Sequence, residues 1–274
     1  MQSLDRFVRI LSVLASSGES GLKLTQVARA IDLSLATTMR LLEALIEQGF
    51  VSADRDNKTF NLGPELVFLG MAAEKAFPIV RIGRDALDDL AATTGDTAYL
   101  SLRSGNHTIC VNRVLGSYPV QTLTIREGDR RPLGVGAASI AILATLSAAE
   151  ADAMLVENES AIAKFPGITL ERTRTEIAEA RKQGYSFTQN HVVPDVWAVS
   201  HVVRSPFGNP LGAVTTAAIM SRFANGRLEF LLDATTRAAS RIEERLKVLG
   251  GAIGKADMAE RRDGLNEMQS ARPT

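Results

Sequence analysis

The residue types best suited to recognising another molecule stand close together near the start of the chain. Thr37, Thr38 and Arg40 fall within about one turn of a predicted helix, beside the small Ala36. An arginine can donate two parallel hydrogen bonds to a guanine edge, and a threonine can bond a phosphate or touch a thymine methyl. Small neighbours let such side chains approach a base pair closely. The pattern therefore indicates a surface that reads double-stranded DNA.

Three predicted helices and a hairpin must position these side chains. Apolar residues recur at intervals of three and four over residues 4–15, 27–31 and 35–46, which predicts three amphipathic helices, the second of them capped by Thr25. The second and third are separated by a short polar turn and form a helix-turn-helix, whose last helix enters a major groove. Residues 50–52 and 59–62 are predicted strands, and the turn between them carries Arg55 and Lys58. This hairpin would lie on the flanking DNA backbone as a wing.

The candidate DNA contacts are spread over the second helix, the third helix and the wing. They are Thr25, Gln26, Ala36, Thr37, Thr38, Arg40, Arg55 and Lys58. The alternative is a three-helix module with a purely structural role. Residues 1–63 carry as many acidic as basic residues, which favours this alternative. The small and hydroxyl residues at the start of the third helix favour DNA binding, because a packed or solvated surface would usually carry Glu or Lys there.

Composition excludes several other classes of protein. The 274 residues include 31 Lys and Arg and 31 Asp and Glu, so net charge gives no argument for nucleic acid and the motif must carry it. One cysteine excludes a disulfide framework and a multi-thiolate zinc site, and the three histidines lack helical metal-site spacing. We expect no metal and no cofactor. The chain shows no signal-peptide shape and no apolar run of membrane-spanning length, so we expect a cytoplasmic protein without a membrane partner.

The pattern of apolar and polar residues changes along the chain and predicts four parts. We predict a DNA-binding domain at residues 1–63, a linker helix at 64–78, an α/β domain at 79–249 and a polar, disordered tail at 250–274. The second domain is expected to contain helices at 82–93, 170–183 and 227–249. Its predicted strands are Thr97–Arg103, Thr108–Val114, Val120–Arg126, Tyr185–Thr188, Ala198–Arg204 and Leu211–Ile219.

The order of several short motifs resembles the IclR (isocitrate-lyase regulator) family over residues 3–248. In the first part these motifs are the run from Leu24 to Ile31, then Arg40-Leu41-Leu42, Gly49-Phe50-Val51 and Leu62-Gly63. In the second part they are Arg131-Pro132-Leu133, Gly184-Tyr185 and the stretch from Gly212 to Ser221. The resemblance implies an α+β chain in which a winged helix-turn-helix is joined by a linker helix to a GAF-like α/β sensor domain. It also implies a transcriptional regulator, not an enzyme.

The resemblance further implies a site for a small organic acid between the sheet and the helix that follows Arg131-Pro132-Leu133. The candidate effector contacts are Ala137, Ala138, Ser139, Thr188, Trp197 and Ala198. Small residues admit a ligand, and free N–H groups at a helix start attract an anion. Close helix–sheet packing explains residues 134–139 equally well, whereas a GxGxxG nucleotide loop fits poorly because its third glycine is replaced by Ser139. Many family members carry Asp and Cys where this chain has Thr188 and Ala198, so polar contacts to 2-oxo acids are in doubt.

Four other features of the sequence each allow two interpretations. Trp197 could stack on an aromatic ligand, although burial in the core is the commoner fate of a single tryptophan. Cys110, in an alternating apolar strand, favours an inert core thiol over a redox sensor. His191 could contact a carboxylate or lie in solvent. The basic cluster from Arg126 to Arg131 reads first as a solvated turn and second as an entry for anions.

The resulting expectation is a ligand-responsive regulator that acts as a dimer or tetramer on a palindromic operator. An apolar stripe of Leu66, Leu69 and Ala73 on the linker helix could contact a second copy. The rival is a metabolite-binding or enzymatic domain that uses the winged helix to bind proteins. No nucleophile and base are paired by spacing, which weighs against catalysis.

Overall fold

The computed structural model describes residues 2–15, 17–76 and 78–270. The chain forms two compact units, Met1–Pro78 and Ile79–Thr274, which are treated separately below. Within the described residues, no helix is both long enough and apolar enough to cross a membrane.

The first unit combines four helices with a small sheet. Its helices are α1 (Gln2–Ala15), α2 (Leu24–Ile31), α3 (Leu35–Glu47) and α4 (Glu65–Ala76). Its strands are β1 (Leu22–Lys23), β2 (Val51–Asp54) and β3 (Thr59–Leu62). The strands are antiparallel in the order β1-β3-β2, with Asp54 opposite Thr59 at the hairpin end. The predicted helices and hairpin are confirmed, while the two-residue strand β1 was not predicted.

The core of the first unit follows the predicted apolar periodicity. Ile10, Val27, Ile31 and Leu42 are almost fully buried, and Phe60 of the hairpin packs with them. Each of the three helices therefore buries one stripe against the others, and the hairpin closes the remaining side. The opposite face of α3 remains at the surface.

The second unit is built on one antiparallel sheet of six strands. Its strands are β4 (Thr97–Ser104), β5 (His107–Val114), β6 (Arg130–Pro132), β7 (Ser186–Gln189), β8 (Val196–Arg204) and β9 (Pro210–Ile219). Its helices are α5 (Ile79–Thr94), α6 (Ala137–Ala144), α7 (Ala148–Glu157), α8 (Glu159–Ile162), α9 (Leu170–Gln183) and α10 (Arg227–Ser270). The strand order is β6-β5-β4-β9-β8-β7, so the short β6 and β7 are the edges. Helices and antiparallel strands in this arrangement confirm the predicted α+β class.

Helices cover both faces of this sheet. On one face, Leu87 of α5 and Ile242 of α10 pack on Leu100 and Val214 of the central strands. On the other face, Ile140 of α6 and other buried side chains pack around Ala213. Successive residues of a strand point to opposite faces. Tyr99, Ser101, Thr215 and Ala217 therefore face the α6 side, where they line a cavity.

The strand predicted at Val120–Arg126 is wrong. The segment is an irregular stretch with no ladder, and its carbonyls are satisfied by side chains instead. Tyr99 Oη donates to the Thr122 carbonyl, and Arg113 Nη1 donates to the Ile125 carbonyl at 3.2 Å. The β-branched residues Val120, Thr122 and Thr124 alternate as they would in a strand, but the segment is held by side-chain hydrogen bonds, among them that from Thr122 Oγ1 to the Ala217 carbonyl at 3.0 Å. The edge position is taken by β6, which pairs with β5.

The last helix is longer than predicted. We expected a disordered tail from residue 250, but α10 continues to Ser270, and residues 271–274 lie outside the described part of the chain. Residues 255–262 are mostly Ala, Glu, Lys, Arg and Met, which have high helix propensity. The prediction relied on an apolar face and gave this propensity too little weight.

Candidate functional site

Two separate surfaces of the chain carry side chains that are suited to binding another molecule. The first is the exposed side of α3. Asp32 ends α2 in the left-handed conformation, with φ of 56°, which lets the chain turn sharply. Ser34 then caps α3, its Oγ accepting the Thr37 N–H at 3.2 Å. This cap satisfies one of the free N–H groups at the helix start and fixes where the helix begins. The start of α3 is therefore held at the surface in a defined orientation.

Seven of the eight predicted DNA contacts are at least partly exposed. Thr25, Gln26, Ala36, Arg40, Arg55 and Lys58 are all exposed, and Thr37 is half-buried. Arg40 makes no hydrogen bond or ion pair with any other residue that the structure describes, so its guanidinium is free to bind a partner molecule. Gln26 has a second task, because its Oε1 accepts the Lys23 N–H at 2.8 Å and caps α2.

The prediction of Thr38 as a DNA contact is wrong, because this residue is not accessible at the surface. Its side chain is fully buried, and its hydroxyl donates to the Ser34 carbonyl at 2.9 Å. The neighbouring Thr37 faces outward, and its Oγ1 accepts a hydrogen bond from Ser34 Oγ at 2.9 Å. The Thr37 hydroxyl proton remains available to a phosphate. Two adjacent threonines thus point in different directions on one helix, and residue type alone could not distinguish them.

The wing is a preformed turn. Asp54 Oδ1 accepts the N–H groups of Asp56 and Asn57 at 2.9 and 3.1 Å, and Asn57 Nδ2 donates to Asp54 Oδ2 at 2.7 Å. The hydrogen bonds from Asn57 lower the pKa of Asp54, so the carboxylate stays charged and keeps the turn closed. Arg55 and Lys58 project from this turn into solvent.

The second surface is a cavity in the second unit, between the sheet and the start of α6. It encloses about 570 Å³, its open mouth included. Strands β4, β5, β6, β7, β8 and β9 all contribute to the lining, together with the segment at 124–125, the α6 start and the loop at 191–193. The lining therefore comes from parts of the chain that are far apart in sequence.

Four of the six predicted effector contacts line this cavity. Ala137 and Ala138 lie at the start of α6, and Thr188 and Ala198 are cross-strand neighbours on β7 and β8. The structure brings these residues together although they are far apart in sequence.

Ser139 and Trp197 were predicted in the site and do not line the cavity. Ser139 is fully buried, and its Oγ accepts the Gly134 N–H, so it fixes the loop before α6. Trp197 precedes Ala198 on β8 and therefore points to the opposite face of the sheet. There its ring packs against Phe187 and Phe223, with centroids 5.6 and 5.5 Å away. Trp197 is thus a core residue.

Sequence reasoning missed most of the polar lining. The additional polar residues are Tyr99, Ser101, Thr108, Thr124, Arg131, His191 and Thr215. The Arg131-Pro132-Leu133 motif marked the right place, but we took the basic cluster first as a solvated turn. Recognising residues 130–132 as an edge strand would have placed Arg131 on the cavity face, opposite Thr108.

A buried histidine holds the loop that covers the cavity. His191 is buried, and its Nδ1 accepts the Gly136 N–H at 3.0 Å. The ring proton therefore sits on Nε2, which lies 3.3 Å from Glu176 Oε2. Burial, helped by the charges of Arg172 and Arg131, lowers the pKa of His191 to about 4. The imidazole is neutral at physiological pH and positions the loop against the α6 start.

Glu176 is held in turn by Arg172. Arg172 Nε donates to Glu176 Oε1 at 2.9 Å, and its Nη2 donates to the Gln189 carbonyl at 2.6 Å. Burial raises the pKa of Glu176 against the opposing effect of Arg172. Arg172 therefore links α9 to the end of β7, where the cavity loop begins.

The cysteine has no reactive character. Cys110 is fully buried beside Tyr99, and burial raises the pKa of its thiol to about 12. A thiol that stays protonated is a poor nucleophile and a poor metal ligand. The structure agrees with the interpretation of Cys110 as a core residue.

Comparison with known families gives the same division of the chain. Residues 3–55 match the IclR helix-turn-helix domain, and residues 71–244 match the C-terminal domain of the bacterial transcriptional regulator IclR. Similar proteins include the HTH-type transcriptional regulator BhcR of Paracoccus denitrificans, 24% identical over 87% of this chain and 85% of BhcR. The HTH-type transcriptional repressor AllR of Escherichia coli is 24% identical over 82% of this chain and 83% of AllR.

Solved structures share the fold. An IclR transcriptional regulator from Silicibacter sp. TM1040 aligns with a TM-score of 0.80 at 23% identity, covering 89% of this chain and 96% of that one. An IclR homologue from Microbacterium hydrocarbonoxydans, complexed with 4-hydroxybenzoate, aligns with a TM-score of 0.69 at 18% identity, covering 90% and 99%. These relatives are named as transcriptional regulators and not as enzymes. Because the two family models together span most of its length, the chain belongs to the IclR family of transcriptional regulators, with a helix-turn-helix for DNA and a C-terminal domain for an effector.

Proposed function

We propose that this regulator binds a palindromic operator through α3 and the wing, and that an aromatic or medium-sized organic acid in the cavity changes its DNA binding. The observation that carries the proposal is the unpartnered Arg40 on the capped, exposed start of α3. Arginine in the first turns of such a helix reaches base edges, and Thr37 beside it can bond a phosphate. Thr25, Gln26, Ala36, Arg55 and Lys58 extend the contact surface. A regulator that binds the DNA of a bacterium would act in the cytoplasm, which is the location we propose.

The cavity supports the choice of an organic acid. Much of its lining is apolar, from Ile125, Val135, Val192, Val196 and Ala198 among others, which suits a hydrocarbon or aromatic body. Arg131 and the α6 start supply positive potential. The related structure with 4-hydroxybenzoate supports an aromatic acid, although at 18% identity its ligand is a guide only to chemical class. Catabolism of such an acid is the process we propose this regulator to control.

A second copy of the chain is the partner we propose on α4. The side chains of Val67, Phe68, Leu69 and Met71 are between 50% and 66% exposed on this helix. The predicted stripe of Leu66, Leu69 and Ala73 forms part of the same helix surface. One winged helix contacts only half of a palindrome, so two copies spaced by one DNA turn would give tight, specific binding. The effector would then act by favouring one arrangement of the copies over another.

DNA binding is tested with duplexes from the region upstream of the gene. Fluorescence anisotropy at increasing salt should show a linear fall of log affinity with log salt, as phosphate contacts require. A sequence-scrambled duplex of equal length is the control and should bind more weakly. Equal affinity for both duplexes, or no binding at low salt, would contradict the proposal.

Self-association is tested by sedimentation of the wild type and of Phe68→Glu. We expect a dimer or larger assembly for the wild type and dissociation for the variant, because a charge in an apolar contact is poorly solvated. Glu74→Gln on the same helix is the matched control. A wild-type monomer that binds a single half-site tightly would contradict this part of the proposal.

A further inference from the structure

The cavity carries one positive charge that forms no ion pair with any of the described residues, although the carboxylate of Asp129 acts on it electrostatically. Among the described residues that line the cavity, Arg131 is the charged one, since His191 is neutral. No carboxylate of the described residues forms an ion pair with Arg131, and its Nη2 donates to the Thr124 carbonyl. Two other partly buried arginines of this unit form ion pairs, Arg172 with Glu176 and Arg222 with Asp96, whereas Arg113 and Arg204 donate to backbone carbonyls. A partly buried cation without a counter-charge is costly unless another molecule supplies the anion.

The guanidinium lies beside the start of α6. Gly136, the residue before this helix, has φ of 84°, and a Cβ built on it would lie 3.5 Å from Arg131 Nη1 and 3.8 Å from Val192. Ile140 N donates to the Gly136 carbonyl, so the N–H groups of Ala137 and Ala138 have no helical acceptor. Two sources of positive potential, a guanidinium and a helix start, therefore converge at one end of the cavity.

Unpartnered hydroxyl groups complete the polar lining. Ser101, Thr108 and Thr188 are at most 5% exposed and line the cavity. Their side chains make no hydrogen bond to any residue in the described part of the chain. Thr108 lies directly opposite Arg131 in the β5–β6 register, whereas Thr188 lies on β7 at the other edge of the sheet. Buried hydroxyls normally have partners, so these are expected to bond a ligand.

We propose that Arg131 is the anion anchor of the effector site and determines its specificity for monocarboxylates. The carboxylate lies between Arg131, the Thr108 hydroxyl and the N–H groups of the α6 start. The apolar body lies across the middle of the sheet, and a second polar group, a hydroxyl or carbonyl, reaches Thr188. The inference rests on the proposed function only in taking this cavity as the effector site.

The charge of the lining favours a carboxylate over a phosphate ester. One guanidinium neutralises one negative charge, and a phosphate monoester dianion would leave a second charge among apolar side chains such as Val135 and Val192. A planar carboxylate also matches the two parallel N–H groups of a guanidinium. A neutral amide of the same shape would leave the Arg131 charge without a counter-charge.

Thermal shift and calorimetric titration of the full chain without DNA test the proposal. The probes are benzoate, 4-hydroxybenzoate and hexanoate, each beside its neutral amide, with phenyl phosphate as the phosphate probe. Carboxylates should raise the melting temperature of the wild type, and the amides and phenyl phosphate should not. Arg131→Gln should weaken carboxylate binding by roughly 10–100-fold, the usual loss for a hydrogen bond to a charged group. Arg130→Gln is the matched control, because this neighbour is exposed and should bind carboxylates like the wild type.

The melting temperature of Arg131→Gln also serves as a control for folding. Without ligand, this melting temperature should stay close to that of the wild type, because loss of the bond to Thr124 is offset by removal of a partly buried cation without an ion-pair partner. Thr108→Val is a second variant of nearly unchanged shape, and it should weaken carboxylate binding by about 2–10-fold. Equal binding of amides and carboxylates overturns the proposal. So does tighter binding of phenyl phosphate, undiminished binding by Arg131→Gln, or a wild type that binds none of the three carboxylates. Failure to bind operator DNA would instead contradict the proposed function and leave the Arg131 assignment standing.

Discussion

Arg40 and Arg131 both lack an acidic partner among the described residues, but the two arginines occupy opposite environments. Arg40 is exposed on a helix whose buried face is defined by Leu41, Leu42 and Leu45, so it has no desolvation cost to offset. Arg131 lies partly buried in a cavity, where burial lowers the pKa of its guanidinium. A free arginine on a surface is ordinary, whereas a free arginine in a cavity indicates a ligand.

The two regions also differ in how they are assembled. The DNA-reading surface comes from contiguous residues whose helix period decides what faces outward. The cavity comes from six strands, a helix start and two loops that are far apart in sequence. A mutation in one region should therefore leave the function of the other region unchanged.

Leu42→Ala should destabilise the first unit without affecting the second. Leu42 is fully buried in a core formed within residues 1–78, and such truncations cost about 2–5 kcal/mol. Trp197 is the only tryptophan and lies in the second unit, so its fluorescence reports that unit alone. Circular dichroism should detect an earlier melting step, while the tryptophan transition stays in place. A parallel shift of both signals would show that the units unfold together.

The stability that the neutral His191 gives the second unit should fall as the pH drops from about 6.5 towards 4, whereas the raised pKa of Glu176 contributes with the opposite sign. The pKa of His191 is lowered from 6.5 to about 4 in the folded chain, so between these values the unfolded state binds more protons. Its contribution to stability is complete above pH 6.5 and is lost on acidification. The difference in melting temperature between wild type and His191→Gln, followed by Trp197 fluorescence, should therefore shrink or reverse towards pH 4. A pH-independent difference would contradict the assignment of a buried neutral imidazole.

Arg40→Ala should weaken operator binding by about 1–3 kcal/mol if the side chain reads a base, with relaxed preference at one position. If Arg40 contacts only phosphate, affinity should fall evenly across sequences and the salt slope should become shallower. Anisotropy on a set of single-base operator variants distinguishes these outcomes. Glu43→Gln, exposed one turn further along α3, is the control. Unchanged operator affinity for a folded Arg40→Ala/Thr37→Ala double variant would show that α3 does not read DNA.

Thr38→Val and Thr37→Val should separate folding from DNA contact. Thr38→Val removes the buried bond to the Ser34 carbonyl and should cost about 1 kcal/mol of stability, with operator affinity unchanged for the folded protein. Thr37→Val should weaken operator binding, because its hydroxyl faces outward. Chemical denaturation and anisotropy measure the two effects. The opposite result, in which Thr38→Val weakens operator binding and Thr37→Val does not, would show that Thr38 and not Thr37 contacts DNA.

Sequence reasoning succeeded where one helix or hairpin decides the outcome. The 3–4 periodicity placed Val27, Ala28 and Ile31 inward and kept Arg40 outward, because a helical stripe is a local property. Thr38 precedes Leu41, Leu42 and Leu45 by three, four and seven residues, so the same periodicity places it on the buried stripe; its prediction as a DNA contact was wrong because it followed residue type instead. The strand that contains Trp197 was predicted to begin two residues later than it does. Adjacent residues of a strand face opposite sides of the sheet, and Ala198 rather than Trp197 lines the cavity. The contribution of Arg131 depends on pairing between β5 and β6, which no local pattern reveals.

We propose that DNA binding and effector binding take place in separate regions of one chain, and a pair of variants tests this separation. Operator binding is measured by anisotropy with and without the carboxylate that most stabilises the wild type. Ala138→Leu fills the cavity at the α6 start, so it should bind the operator like the wild type and show no response to the carboxylate. Arg40→Ala should show the opposite pattern, with weak operator binding and an unchanged thermal shift by the carboxylate. An Ala138→Leu protein that responds to the carboxylate as the wild type does would place the effector elsewhere and contradict the account.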